Sequence, residues 1–291
     1  MLCRRKTVHQ QDRGTIPQYG CGGLGFVIWL CLMVMSASVG ARTWYVNEDG
    51  SGDAISIQAA VDSAQAGDSV VVAAGIYRES IVLDKGLALL SERGAAHTRI
   101  VPDPSATPLF AIQGSNLASH RTEIKGFWFE GFNWQGSCAI KMIASRRVEI
   151  QNNVMTGNFV GISLNGGSAF IRHNTFWKNT SYGIDASAMG SGLCEYNIVW
   201  DRAAGFGRVI AFYNDFLNLL DPGPDNPENF SLDPEFCGAT AGNLNLQSDS
   251  PCAPGNSPWP ASGLIGALPV GCNEVAVENH TWGVIKQLYS K

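Results

Sequence analysis

Residues 152–162 read NNVMTGNFVGI, and residues 173–184 read HNTFWKNTSYGI. The two stretches share one frame: an Asn, four residues, a second Asn, a short gap, then Gly-Ile. Working outward, the frame has a period. Ile140, Ile162, Ile184 and Phe206 are spaced by 22 residues each, and Asn153, Asn174, Asn197 and Asn214 follow at intervals of 21, 23 and 17. Ile150, Ile171, Cys194 and Ala211 stand three residues before those Asn. Short apolar runs and turn residues at a fixed period near 20 residues mark a solenoid, in which no coil buries its apolar side without its neighbours. Strands of successive coils then pair in parallel, about 4.8 Å apart.

The repeated Asn reads as shape rather than chemistry. At a tight bend between strands an Asn can take the left-handed conformation. Asn at the same bend of the next coil then hydrogen-bonds to it through the side-chain amide. Asn153, Asn174, Asn197 and Asn214 are the expected ladder, with Asn158 and Asn179 at a second bend. Upstream, Ile55, Ile57, Ala60, Val61 and Ala64 give an apolar helical face over residues 55–65, stopped by Gly67. Short strands follow: SVVVAAG, ESIVL, GLALLS, TRIV and LFAIQG, between residues 69 and 114.

Of the 291 residues 45% are hydrophobic and 15% charged, enough to build a core and too apolar for disorder. The 33 glycines suit a turn-rich fold. Residues 1–41 stand apart: Arg4, Arg5, Lys6 and Arg13 precede the apolar run Gly23–Met35, then SASVGA, the pattern of a secretory signal. The run is short for a membrane span. Domain limits are thus a signal at 1–41, a solenoid at 42–272 and a tail at 273–291. In that tail Trp282, Ile285, Leu288 and Tyr289 share one face, as in a short helix. Cleavage after Ala41 removes a net +3 from −5 and leaves −8, a balance that excludes nucleic acid as partner. That balance also argues against unaided attraction to an acidic polysaccharide, unless a cation bridges the two. Five cysteines remain, an odd number in an export context that permits disulfides.

SIQAAVDSAQAGDSVVVAAGIYRESIVL, with the later TRIV, resembles the entry to right-handed parallel β-helix proteins, the pectin esterase and pectate lyase relatives among them. The coils N-x4-N-x3-GI resemble the copper-pathway periplasmic β-helix family. LDPEFC, LNLQSDSPCAP and GLIGALPVGC are similar to the closing coils of secreted bacterial β-helix proteins. Together the resemblance spans residues 44–272. It implies an all-β, right-handed parallel β-helix whose N-terminal helix caps the open end of the interior. It implies no one activity, because this fold hosts lyases, esterases, hydrolases, adhesins and scaffolds. Pectin esterases carry an Asp in a GYQDTLY-like strand and another in a later strand. The equivalent stretches here, NFVGISLNGG and CEYNIVWDRAAGFG, match neither.

Strand alternation points Lys141, Ser163 and Asp185 outward in one row, a Lys and an Asp that can flank a sugar. Lys141 and Asp185 are also the candidate catalytic pair. A second outward row is Gln151, Arg172, Glu195 and Phe212, with Arg172 and Glu195 as a cross-strand ion pair. Trp128, Phe129, Phe132, Trp134, Trp177, Tyr182 and Trp200 divide between core packing and sugar platforms. The loop DPGPDNPENF offers Asp221, Asp225 and Glu228 as oxygen ligands for Ca²⁺. Cys252 and Cys272 are expected to clip the last coil, with Cys237 as the rival partner. Cys138 and Cys194 are expected as inward thiols.

The functional expectation is a secreted or periplasmic monomer, free of the membrane after signal cleavage. It binds or processes a polysaccharide or cell-surface component on an outer face. Two alternatives stay open: a non-catalytic scaffold or adhesive module, and a polysaccharide lyase with an unfamiliar site. If the chain is an enzyme, lyase and glycoside hydrolase are the expected classes.

Overall fold

The computed structural model describes residues 40–103, 110–113, 120–188, 190–204, 209–217, 228–259 and 263–272. Residues 1–39, on which the expected signal falls, Phe206 and residues 273–291 lie outside these. The described chain winds through three parallel sheets in turn, six full circuits between Ser69 and Ala204. The first sheet holds Thr43–Val46, Ser69–Val72, Ala88–Ser91, Thr122–Lys125, Val148–Gln151, Ser168–Arg172, Ser191–Glu195 and Val209–Phe212. The second holds Gly75–Arg78, Thr98–Val101, Trp128–Glu130, Val154–Thr156, Thr175–Trp177, Ile198–Val199 and Asp215–Phe216. The third holds Ile81–Leu83, Phe110–Gln113, Cys138–Ile143, Val160–Asn165, Tyr182–Asp185 and Ala203–Ala204.

The register follows the sequence period. Ile140, Ile162 and Ile184 face one another across the third sheet, and Ile124, Ile150, Ile171, Cys194 and Ala211 across the first. All of these are buried in one continuous core. Each coil thus seals the apolar side of the next, worth about 2 kcal/mol for each fully buried Ile. The period breaks in the last full coil, where Ile184 pairs with Ala203 rather than Phe206. The shortening lies between the second and third sheets: eight residues separate Phe176 from Ile184, four separate Val199 from Ala203.

The Asn ladder is built at the bend from first to second sheet, but not by left-handed Asn. The residues with positive φ are the ones before: Asn152 (54°), His173 (51°), Tyr196 (57°) and Tyr213 (55°), with Gly126 (81°) one coil earlier. A left-handed residue turns the chain sharply, so the next side chain points into the solenoid. There Asn153 donates through its backbone N and Nδ2 to Asn174 Oδ1 at 3.0 and 3.2 Å. Asn174 donates likewise to Asn197, Asn197 to Asn214, and Asn214 to Asn229. A second row runs from Asn158 through Asn179 to Asp201, where Asn179 Nδ2 donates to Asp201 Oδ2 at 2.6 Å. The left-handed side chains stay outside, and His173, Tyr196 and Tyr213 stack there at 5.1 and 5.2 Å.

One helix, α1 (Ile57–Ser63), starts at the N-cap Ser56, whose side chain accepts from Ala59 N. It buries Ile57, Ala60 and Val61 in the solenoid core. Its side chains also pair the strand edge beside it. Val82 N donates to Gln58 Oε1 at 2.7 Å, and Gln58 Nε2 reaches Val82 O at 3.4 Å. Glu79 accepts from the helix N-terminal amides of Ile57 and Gln58, and Lys85 Nζ donates to the C-terminal carbonyls of Asp62 and Ala64.

Residues 230–259 and 263–268 cross the outer face of the second sheet. Phe230, Phe236, Leu244, Leu246, Ile265 and Leu268 pack there on Trp128, Val154 and Ile198. The disulfide that closes this segment joins Cys237 to Cys272, not Cys252 to Cys272. Strand Phe236–Gly238 pairs with Asn243–Leu246, and Leu246 bridges to Val270, which brings Cys272 beside Cys237. Cys252 is buried instead against the second sheet, its Sγ 3.3 Å from Asp215 Oδ2.

Candidate functional site

Covering one sheet leaves the outer faces of the other two for contact with partners. On the third sheet Lys141, Ser163 and Asp185 are adjacent in register, all half-exposed. Asp185 Oδ1 accepts from Ser187 N and Oγ, which ties the carboxylate into a local turn. Cys138 stands on this outer side rather than in the core: it is half-exposed, its thiol beside Ser163, and burial holds it above the ordinary thiol range. The neighbouring inward positions explain the shift of Cys138. Ala139 and Ile140 are both fully buried, so two consecutive residues face inward, and in the following coils Gly161 and Gly183 stand before the inward Ile162 and Ile184, where a Cβ would run into Phe176.

The first sheet carries a denser cluster. Glu123 and Glu149 are paired across adjacent coils, with Phe170, Leu193 and Ile210 continuing the same outward row. The parallel row is Lys125, Gln151, Arg172, Glu195 and Phe212. Arg121, Arg147, Glu149, Phe170 and Arg172 line a cavity of about 380 Å³. Glu149 is only 7% exposed and is paired with Arg121. Arg172 holds Glu195 at 2.8 Å through Nε and lies 3.9 Å from Glu149. Its guanidinium sits 5.2 Å from the ring of Phe170, which is 46% exposed. Arg147, with φ of 57°, occupies a left-handed corner one residue before its strand.

Sequence reasoning placed Arg172 and Glu195 together and missed the rest of this cluster. A signal existed: Arg-Thr-Glu-Ile at 121–124 and Arg-Val-Glu-Ile at 147–150 are the same tetrad one coil apart. Among the Ca²⁺ candidates, Asp221 and Asp225 lie outside the described residues, while Glu228 is half-buried. Of the aromatics, Trp128, Phe129 and Phe132 are buried, and Trp177 meets Phe236 edge-on under the C-terminal segment.

A family profile described as periplasmic copper-binding protein (NosD) matches residues 67–215, which is 149 of the 291 residues. This chain belongs to the NosD family. The matched span holds the ladder from Asn153 to Asn214 and the third-sheet row and arginine cluster. A solved structure of the pectin methylesterase from Aspergillus niger, penultimately deglycosylated, is similar at 14% identity and TM-score 0.33. That alignment covers 68% of this chain and 92% of the esterase. Among curated proteins none matches.

The family description raises copper, which favours thiolate, thioether and imidazole ligands. Among the described residues no three of His, Cys, Asp or Glu stand close enough to hold a metal. Cys194 and Cys252 are buried, burial raises both thiols, and Met142 and Met155 face the solenoid core. His173 Nδ1 is 2.8 Å from Leu264 O, and burial lowers its ring below the usual range. The described residues do not fit a copper site. Among them no helix is long and apolar enough to cross a membrane.

Proposed function

We propose that this NosD-family protein is exported and binds or processes a polysaccharide along an outer face of its solenoid. The observation that carries the reading is the apolar row that the outer face of the first sheet exposes among the described residues. Exposed Phe170 and Ile210 and half-exposed Leu193 lie there in one row. A charged stretch precedes them on the same face. A stripe of apolar rings and aliphatics beside hydrogen-bonding charges suits a sugar polymer, which presents both C–H faces and hydroxyls. The family's periplasmic description and the Arg-rich start with its apolar run support export. The third-sheet row of Lys141, Ser163 and Asp185 is the rival face, told apart from the first by its own substitutions.

Incubation with a panel of neutral and uronic-acid polymers, with and without Ca²⁺, tests it. Retention of the protein on at least one immobilised polymer is expected. A rise in ultraviolet absorbance from unsaturated product would add lyase chemistry. No retention on any polymer would leave the scaffold reading in its place.

A further inference from the structure

The arginine-lined cavity on the first sheet has a composition that the rest of the chain does not lead one to expect. The chain from Arg42 onward carries a net charge of −8. Here three guanidiniums and one carboxylate meet beside an exposed aromatic ring. Arg121 is paired with Glu149, and Arg172 with Glu195. Those pairs fix the guanidiniums without using them up. Each guanidinium has five N–H donors in a planar fork, and one carboxylate takes two at most. Glu149 and Glu195 thus hold two members of a three-arginine donor array that lines the cavity together with Glu149.

From this geometry we infer that the cavity is a subsite for a carboxylate carried on a sugar ring, which makes the ligand of the outer face a uronic-acid polysaccharide. The inference rests on the polysaccharide reading and narrows it to one substrate class and one set of residues. Phe170 supplies the flat apolar wall for the C–H face of the ring. Arg121, Arg147 and Arg172 supply forked donors that match a carboxylate in two hydrogen bonds at once, which a lone ammonium such as Lys141 cannot do. Register makes the donors converge: Arg121 and Arg147 each stand immediately before their strands, and Thr122 pairs with Val148, so the two corners stack one coil apart. Arg172 lies in the next coil, opposite Gln151. This answers the objection from net charge: an acidic protein can hold an acidic polymer without a bridging cation if the cations are gathered at one place.

Calorimetric titration with hexagalacturonate and with neutral maltohexaose tests the assignment. Arg147→Gly is the decisive variant. It removes one guanidinium and at the same time relieves a left-handed corner that glycine adopts without strain, so loss of fold cannot explain its effect. Phe170→Ser removes the exposed wall, and Lys141→Ala is the control on the third sheet. The wild type is expected to bind hexagalacturonate and not maltohexaose. Affinity should fall about tenfold or more in Arg147→Gly, severalfold in Phe170→Ser, and less than twofold in Lys141→Ala. It should also weaken as salt is raised, since exposed charges are screened within about 8–10 Å at 0.1–0.15 M. Unchanged affinity in a folded Arg147→Gly, a larger loss in Lys141→Ala, or equal binding of both hexamers would each overturn the carboxylate subsite and leave polysaccharide binding standing. Binding of neither hexamer would overturn the subsite, and the polymer panel would then decide the broader reading separately.

Discussion

The Asn174 side chain is fully buried: its Nδ2 lies within hydrogen-bond reach of three acceptors, and its Oδ1 accepts from two donors. Asn174→Ala would strand donors of Asn153 and the carbonyl of Ile150 away from water. Each buried group left unpaired costs about 1–3 kcal/mol, so a loss of at least about 2 kcal/mol is expected. An unchanged melting temperature would contradict it. Asp215 is a different kind of buried residue. Burial pushes its carboxyl up to about 8, although Leu232 N and Cys252 Sγ both donate to it. Its unfolded value is the ordinary 3.8. Between these values the folded state binds the extra proton, so stability falls as pH rises from about 4 to about 8. Asp201, pushed by burial up to about 6, adds a drop of the same sign over a narrower window. The melting temperature should therefore rise on acidification from pH 8 to pH 5, and Asp215→Asn should flatten that slope and raise the value at pH 8. A wild-type curve that is flat over this range would refute the account.

Among the elements, α1 closes a strand edge with a side chain that imitates a backbone. The Gln58 amide pairs with both the N–H and the C=O of Val82, as a neighbouring strand would. Exposed edges are templates for association. Gln58→Leu keeps the bulk and removes the pairing, so it should lower stability by about 1–3 kcal/mol. Deletion of residues 42–66 should go further and give soluble aggregates by light scattering. A monomeric deletion variant would show that the helix does not protect this edge. The elements also show what the sequence could and could not reveal. The strands were legible because Ile140, Ile162 and Ile184 recur at one spacing, and equal spacing in a solenoid is equal position in space. The end of that series was not, because the sixth coil loses four residues between Val199 and Ala203 and the period no longer applies. Asp201 and Asn229 escaped the ladder reading for the same reason. The arginine cluster was hidden differently: two of its members sit in corners, where no apolar alternation draws attention to the side chain. The disulfide depended on how residues 230–272 fold back, which no local pattern specifies.

At the scale of the whole molecule, the C-terminal segment is a cover for the second sheet, held by Cys237–Cys272. That bridge closes a loop of 35 residues, worth about 3–4 kcal/mol in the chain-entropy account. Reduction should therefore loosen the cover before the coils. The expected signature is increased binding of a hydrophobic dye, as Trp128, Val154 and Ile198 are uncovered, with the far-ultraviolet strand signal retained. Simultaneous loss of both signals on reduction would mean that cover and coils unfold as one unit.

The amide rows inside the solenoid also have a direction. From Asn153 to Asn214, and at Asn158 and Asn179, each Asn receives on Oδ1 from the coil before and hands an Nδ2 hydrogen to the rung after. An Asp can receive but cannot hand on. An ionised Asp belongs only on a last rung, and Asp201 stands on the last described rung of its row. Asn179→Asp would set two oxygens against each other in the middle of the row, whereas Asp201→Asn would leave a rung able to accept a further coil. The aligned amides also add as dipoles, positive toward the C-terminal end, in the way peptide units add along a helix. The two ends of this solenoid thus differ electrically along an axis that no count of charged residues would reveal.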